Sequence, residues 1–441
     1  MRLSKSQLIV ITILNVVIAV LVAVIFLMPL LSPPRGDSGK GPDGDTPNPS
    51  EHNKLREPTA GMVPEIVRET RLMGSGDESV VAVHFVDGAA YIFGNATVGD
   101  LDFDSYGGFL CTVGASGKIV GFTYFTGRIT AVGIVEGGFA AATVSNKGTT
   151  DMKSRLYSVG YDGAAREVVT LDGEAADIIP ITDSKKTAVV TKPTENSFLL
   201  TEYTVTESGE WVQKHNTRIS SGYMLDYFDC FNIGDEYILA AHAYVSSRYD
   251  ALALYTFQAG GSAAEHLYDG NGGRMTRPYA VAPYEEGYVA LCRYDGVATL
   301  MTVGYTFMTF GYDMLGFEFE DARILDSNGL YYACFECETG TVVYELDKIL
   351  NRHKVQAAEG ISADCTVKSN GTLLAGAYNG QAKISDTTGN RALTLDMTDV
   401  TFYGGYRRND GTTLFVLSAS GGKALSKPSG GKDIYVITVN I

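Results

Sequence analysis

Short runs of β-branched and aromatic residues alternate with Gly, Asn and Asp clusters from Ser79 to the end of the chain, and almost no stretch sustains a helical period. That pattern predicts strands and hairpins. The runs also come in a fixed order. "DSNGLYYACFECETG" (326–340) and "KSNGTLLAGAYNG" (368–380) share a polar tetrad ending in Gly, a mostly apolar run and a second turn. Comparable first turns fall at Gly88, Gly138, Ser184-Lys185, Gly234, Gly287, Gly329, Gly371 and Gly411, about 40 to 53 residues apart.

Eight units of that length, each worth about four short strands, predict an all-β fold, an eight-bladed β-propeller, with seven blades as the alternative. In each unit an inner strand turns into a nearly all-apolar second strand. Such continuous apolarity fits a sheet covered on both faces by its neighbours. The last unit has a second strand at Thr412–Ser418 and a third at Asp433–Asn440, and then the sequence ends. "EIVRETRL" (65–72) stands before the first inner strand as "KIVGFTYF" (118–125) stands before the second. The N-terminal strand is therefore expected to complete the eighth blade and to remove the open sheet edges that invite aggregation.

Ahead of the repeats the pattern changes twice. Leu8 to Met28 carries no charged residue, and 21 residues at 1.5 Å each match a hydrocarbon core of roughly 30 Å. Arg2 and Lys5 precede it, so the positive-inside rule keeps residues 1–7 cytoplasmic and sends the remainder out. The apolar stretch is longer than that of a signal peptide and lacks an A-x-A-like site, which favours an uncleaved anchor over residues 8–31. Residues 32–63 are rich in Pro, Gly, Ser and Asp and read as a disordered linker, its ends roughly 30 Å apart on average. The propeller takes residues 64–441. The expected setting is a single-pass plasma membrane protein with an extracytoplasmic head.

Composition adds exclusions. The 441 residues carry a formal net charge of −16, and beyond residue 63 there are 29 basic against 46 acidic residues. Such a body repels phosphate backbones, so nucleic acid is not an expected partner. One Trp, Trp211, excludes regular WD repeats and Trp-rich cofactor propellers. The six cysteines are spread over several units without a disulfide framework. Cys334 and Cys337, three apart on one strand, place their α-carbons about 10 Å apart, too far for a bond.

Candidate chemistry is sparse. Asp100, Asp102 and Asp104 in "GDLDFDS" repeat the one-three-five spacing of a calcium loop and could converge on a hard cation if the backbone curls. Ser105 stands where such a loop wants Gly, and Cys111 where it wants the closing Glu, which favours a solvated blade-edge loop. No other cofactor is expected. The histidines are scattered, with His84 alone on an inner strand, and no G-x-S-x-G elbow or phosphate loop occurs. The 26 tyrosines, many interleaved with acids as in "YMLDYFDCF", suit either blade packing or a contact surface for a sugar or peptide.

Val98–Gly127 resembles the bacterial β-propeller repeats in which an Asp-containing loop leads into an outer hairpin with a Gly turn and an aromatic end. The matching positions are Asp100, Asp102, Gly108, Phe109, Gly117, Gly121 and Gly127. One blade matches well and the others loosely. The resemblance implies a propeller in an extracytoplasmic setting and no particular reaction. The functional expectation is a noncatalytic protein- or glycan-binding or scaffolding module of the cell envelope. Its alternative is a lyase or hydrolase acting on cell-wall or extracellular polymers.

Overall fold

The computed structural model describes residues 65–72, 78–96, 107–145, 152–181, 185–246, 250–269, 274–284, 287–305, 309–327, 330–338, 340–346, 352–359, 361–368, 372–378, 381–386, 391–423 and 432–441. The anchor expected at Leu8 to Met28 lies outside them. Among the described residues no helix is long and apolar enough to cross a membrane.

Eight four-stranded antiparallel sheets follow one another along the chain as the blades of a β-propeller. Their inner strands are Glu78–Val86, Arg128–Val135, Glu174–Pro180, Met224–Ile233, Met275–Tyr284, Asp321–Ser327, Ile361–Lys368 and Thr401–Arg407, defining blades 1 to 8. The eight turn positions read from the sequence fall where an inner strand gives way to its second strand, with Ser184, Gly329 and Gly371 lying outside the described residues. The predicted apolar runs are those second strands, at Leu330–Cys337 and Thr372–Tyr378. At the turn of blade 1, Asp87 and Gly88 both take positive φ (50° and 78°), as a tight two-residue hairpin requires.

Blade 8 is assembled from both ends of the propeller. Its order from the axis outwards is Thr401–Arg407, Thr413–Ala419, Asp433–Asn440 and then Glu65–Leu72, which pairs antiparallel with the third strand from Glu65↔Asn440 to Leu72↔Ile434. The second strand lies one residue later than the sequence suggests. Arg71 Nε stands 3.1 Å from the fully buried Asp433 Oδ2, so the seam is ionic as well as hydrogen-bonded. A separate two-stranded ribbon, invisible in the sequence pattern, pairs Met397–Thr398 with Gly421–Gly422.

The apolar core is a series of layers between blades. One layer packs Val190, Phe198 and Leu200 of blade 3 against Leu239, Ala241 and Tyr255 of blade 4. Another joins Phe415, Tyr435 and Ile437 of blade 8 to Leu373 and Ile384 of blade 7, and a third closes the ring by setting Val416 and Val436 against Ile92 and Cys111 of blade 1. The second strands of blades 1 to 5 and 8 contribute to layers on both of their faces, which is why such strands read as nearly continuous apolar runs. All six cysteines are free, and all but Cys337 are buried.

Candidate site at the propeller rim

Every inner strand begins on the face where one blade hands over to the next, and every second strand returns to it. The second strands share a rhythm on their way there. Tyr237–His242 (YILAAH), Tyr288–Arg293 (YVALCR) and Tyr331–Glu336 (YYACFE) each run about five residues through the layers before a polar residue takes the sixth position. At that register the inner and second strands pair Glu174↔Lys192 in blade 3, Asp226↔His242 in blade 4, Arg277↔Arg293 in blade 5 and Asp321↔Glu336 in blade 6. The same register holds Ser362↔Ala377, Thr401↔Ser418 and Ser79↔Asn95 in blades 7, 8 and 1, and Arg128↔Val144 in blade 2. Pairs of ionisable side chains are thus concentrated on four consecutive blades, an arc over half of the rim.

A repeated irregularity shapes this arc. The inner strands of all blades except blade 6 shift register just below the rim pair, leaving Val81, Thr130, Ala176, Phe228, Tyr279, Asp364 and Tyr403 as extra residues. Such bulges re-aim side chains. In blade 5 the bulge presents the Tyr279 ring to both arginines of the rim pair: Arg277 Cζ lies 4.9 Å from its centroid and Arg293 Cζ 5.7 Å. Arg293 also stacks on Phe319 at 4.9 Å and donates from Nη2 to the Phe319 carbonyl. The Tyr279 and Phe319 rings are 4.9 Å apart, so guanidiniums and rings alternate across the start of blade 6. Burial raises the Tyr279 phenol against the opposing pull of Arg293 and Arg277, and it stays protonated.

Polar contacts continue on both sides. Towards blade 3, Asp226 accepts from the Tyr244 hydroxyl and from Lys192 Nζ at 3.3 Å, and the Tyr244 bond, ahead of Lys192, holds its carboxyl below the usual range. His242 is buried 3.0 Å from Asp250 Oδ2, with Phe228 stacked alongside. Towards blade 8, Arg323 reaches Glu336 (3.4 Å) and Asp364 (3.2 Å), and Asp364 accepts the Phe402 N–H at 3.0 Å. One carboxylate thereby ties together the inner strands of blades 6, 7 and 8.

Deeper in the inner wall sits a second cluster. Asp177 and Asp229 each follow the bulge of their strand, and each accepts the N–H of its own next residue, Ile178 at 2.7 Å and Cys230 at 2.8 Å. Tyr227 donates to Asp177 across the blade 3–blade 4 boundary. Burial, then the charge of Asp177, pushes Asp229 up to about 7, so this carboxyl can hold a proton at neutral pH. His84, singled out as the inner-strand histidine, stacks on Phe139 at 5.4 Å, and burial lowers it to about 4. It is a neutral packing ring.

Asp100, Asp102 and Asp104 lie outside the described residues, in the connection that leaves the rim at Ala96 and returns at Gly107, whose carbonyl accepts the Ala96 N–H at 2.9 Å. Among the described residues no three His, Cys, Asp or Glu side chains gather to hold a metal ion. On the opposite face, a polar cleft of about 420 Å³ between blades 3 and 4 contains the Lys186–Glu202 ion pair (3.3 Å) and His215, with Tyr237 donating to Glu202 at 3.0 Å. A smaller one of about 300 Å³ beside Trp211 separates blades 2 and 3. The charged arc was not read from the sequence. Its trace was there, in Lys192, His242, Arg293 and Glu336 ending four successive apolar runs at the same position.

No known protein family matches the chain, and no curated protein does. Solved structures do. The WD40 domain of SCAP from fission yeast is similar with a TM-score of 0.50 and 8% identity, over 84% of this chain and 97% of that one. The β-propeller domain of the Trilobed protease from Pyrococcus furiosus gives 0.46 and 9%, over 72% and 97%. A putative 6-phosphogluconolactonase from Bacteroides uniformis gives 0.46 and 12%, over 70% and 95%. At these identities the likeness concerns the β-propeller fold alone.

Proposed function

We propose that the propeller is a noncatalytic binding head, held outside the cell by the Leu8–Met28 anchor and its linker, that engages a protein or glycan of the envelope through the rim of blades 3 to 6. The observation carrying this reading is the confinement of paired ionisable side chains, with Tyr244, Tyr279 and Phe319 among them, to four consecutive blades at one register. A fold needs no such asymmetry, since uncharged pairs serve blades 7, 8 and 1 equally well. The entry of the chain supports the same reading. Glu65 pairs with Asn440 at the end of blade 8 away from the rim, so the first described strand enters the propeller on the face opposite the arc. The resemblance of Val98–Gly127 to bacterial propeller repeats agrees with an extracytoplasmic setting.

The test is capture of envelope fractions by the chain and by a variant with Asp226, Arg277 and Arg323 replaced by Ser, Gln and Gln. Equal capture by the two would refute the rim as the binding surface. The rival, a lyase or hydrolase of extracellular polymers, has one observation in its favour, the protonatable Asp229 beside Tyr227 and Asp177. Polymer cleavage abolished by Asp229→Asn, with the melting temperature preserved, would favour it over the binding head.

A further inference from the structure

Arg277 and Arg293 face each other across one antiparallel pair. Like charges directly opposite are unfavourable in a sheet. The Tyr279 and Phe319 rings moderate this by stacking on the guanidiniums, and the Phe319 carbonyl takes one Arg293 N–H. Arg277 has less. It is exposed, its contact is the Tyr279 face, and among the described residues no carboxylate pairs with it. In a chain with 51 acidic against 35 basic residues, an exposed arginine that no described carboxylate pairs with stands out. With its Cζ over the Tyr279 ring and no carboxylate paired to it, the exposed Arg277 guanidinium can offer its fork of N–H donors to a planar two-oxygen acceptor, the partner that guanidinium binds bidentately.

The neighbours narrow the ligand. On one side of the doublet the rim pair is Asp226↔His242, and on the other it is Asp321↔Glu336. A polyacidic peptide laid along the arc would set its further carboxylates against these acids. A ligand with one carboxylate among hydroxyl donors would instead place anion on Arg277 and hydroxyls towards the flanking oxygens. That distribution belongs to a uronic acid within a polysaccharide.

Resting on the binding-head reading, we propose that the blade 5 step of the rim is a carboxylate subsite for a uronic-acid residue of an acidic glycan, with Arg277 the carboxylate-binding group, Arg293 and Tyr279 its positioning residues, and Asp321 a hydroxyl acceptor. The probes are galacturonate and glucuronate oligomers, titrated calorimetrically into the purified full chain, with their methyl esters as uncharged counterparts. Binding of at least one free-acid oligomer is expected, weakened about 10- to 100-fold by esterification and equally by Arg277→Gln. An unchanged melting temperature in Arg277→Gln separates lost contact from lost fold, and Asp321→Asn should weaken binding without removing its preference for the free acid. Free-acid binding that Arg277→Gln leaves unaltered overturns the subsite. No binding of either oligomer, while an envelope ligand is still captured through the rim, overturns the uronate and leaves the binding head standing. Arg277-dependent binding of an acidic peptide in place of the oligomers overturns the glycan. Loss of all rim-dependent capture removes both readings.

Discussion

Arg71→Met tests the closure of the ring at its most sensitive bond. Arg71 comes from the N-terminal strand and Asp433 from the third strand of blade 8, with side chains 14% and 0% exposed. Removing one partner of a buried pair leaves an uncompensated charge and costs about 3–5 kcal/mol. The unfolding entropy of a propeller of this size, at about 2.1 cal/mol/K per residue, amounts to roughly 0.8 kcal/mol/K, so the melting temperature should fall by about 4–6 °C. Arg71→Met with Asp433→Leu replaces both charges by apolar groups and should recover most of the loss. Thermal melting by calorimetry measures the shift, and amide exchange should quicken at Ile434 to Asn440, the residues that pair with the N-terminal strand. A melting temperature within about 1 °C of the parent, with unchanged exchange, would mean that this strand does not seal blade 8.

Other expectations follow from burial and from close approach. The Asp229 carboxyl titrates near 7 in the folded state and near 3.9 in an unfolded chain. Between those values the folded state holds the extra proton, so stability falls as pH rises through the window, and Asp229→Asn should melt above the parent at pH 8 but level with it near pH 4. A Cβ added at Gly133 would lie 2.4 Å from the Ile178 carbonyl oxygen on the neighbouring inner strand, so Gly133→Ala should lower the melting temperature by several degrees, whereas Gly137→Ala, at a turn with open space, should lower it less. Thiol titration of denatured, unreduced protein should count six groups. In the native state Cys337 should react first, because burial pushes Cys111, Cys292 and Cys334 up to about 12.

Blade number, the apolar second strands and the strand that completes blade 8 could be read from the sequence because each leaves a local trace. A sheet covered on both sides must be apolar throughout, and its hairpin turns need residues that accept positive φ, as at Asp87-Gly88. The rim was harder for a physical reason. Its charge belongs to register pairs such as Arg277↔Arg293, drawn from two strands across a turn, and the bulge at Tyr279 changes which inner residue meets which partner. A bulge has no composition of its own: Val81, Thr130, Phe228 and Asp364 occupy the same place. The Asp177–Tyr227 contact spans two blades and 50 residues, and neither residue marks its partner in the linear pattern.

The N-terminal strand runs from the far face at Glu65 up to the rim at Leu72, where it passes into blade 1, and it lies antiparallel to the third strand of blade 8. A load applied between the Glu65 end of this strand and the rest of the ring would therefore strain this seam lengthwise, in shear. Its hydrogen bonds would share the tension together, whereas a strand peeled from its end surrenders them one by one. The element that finishes the ring is also the one placed to bear mechanical strain.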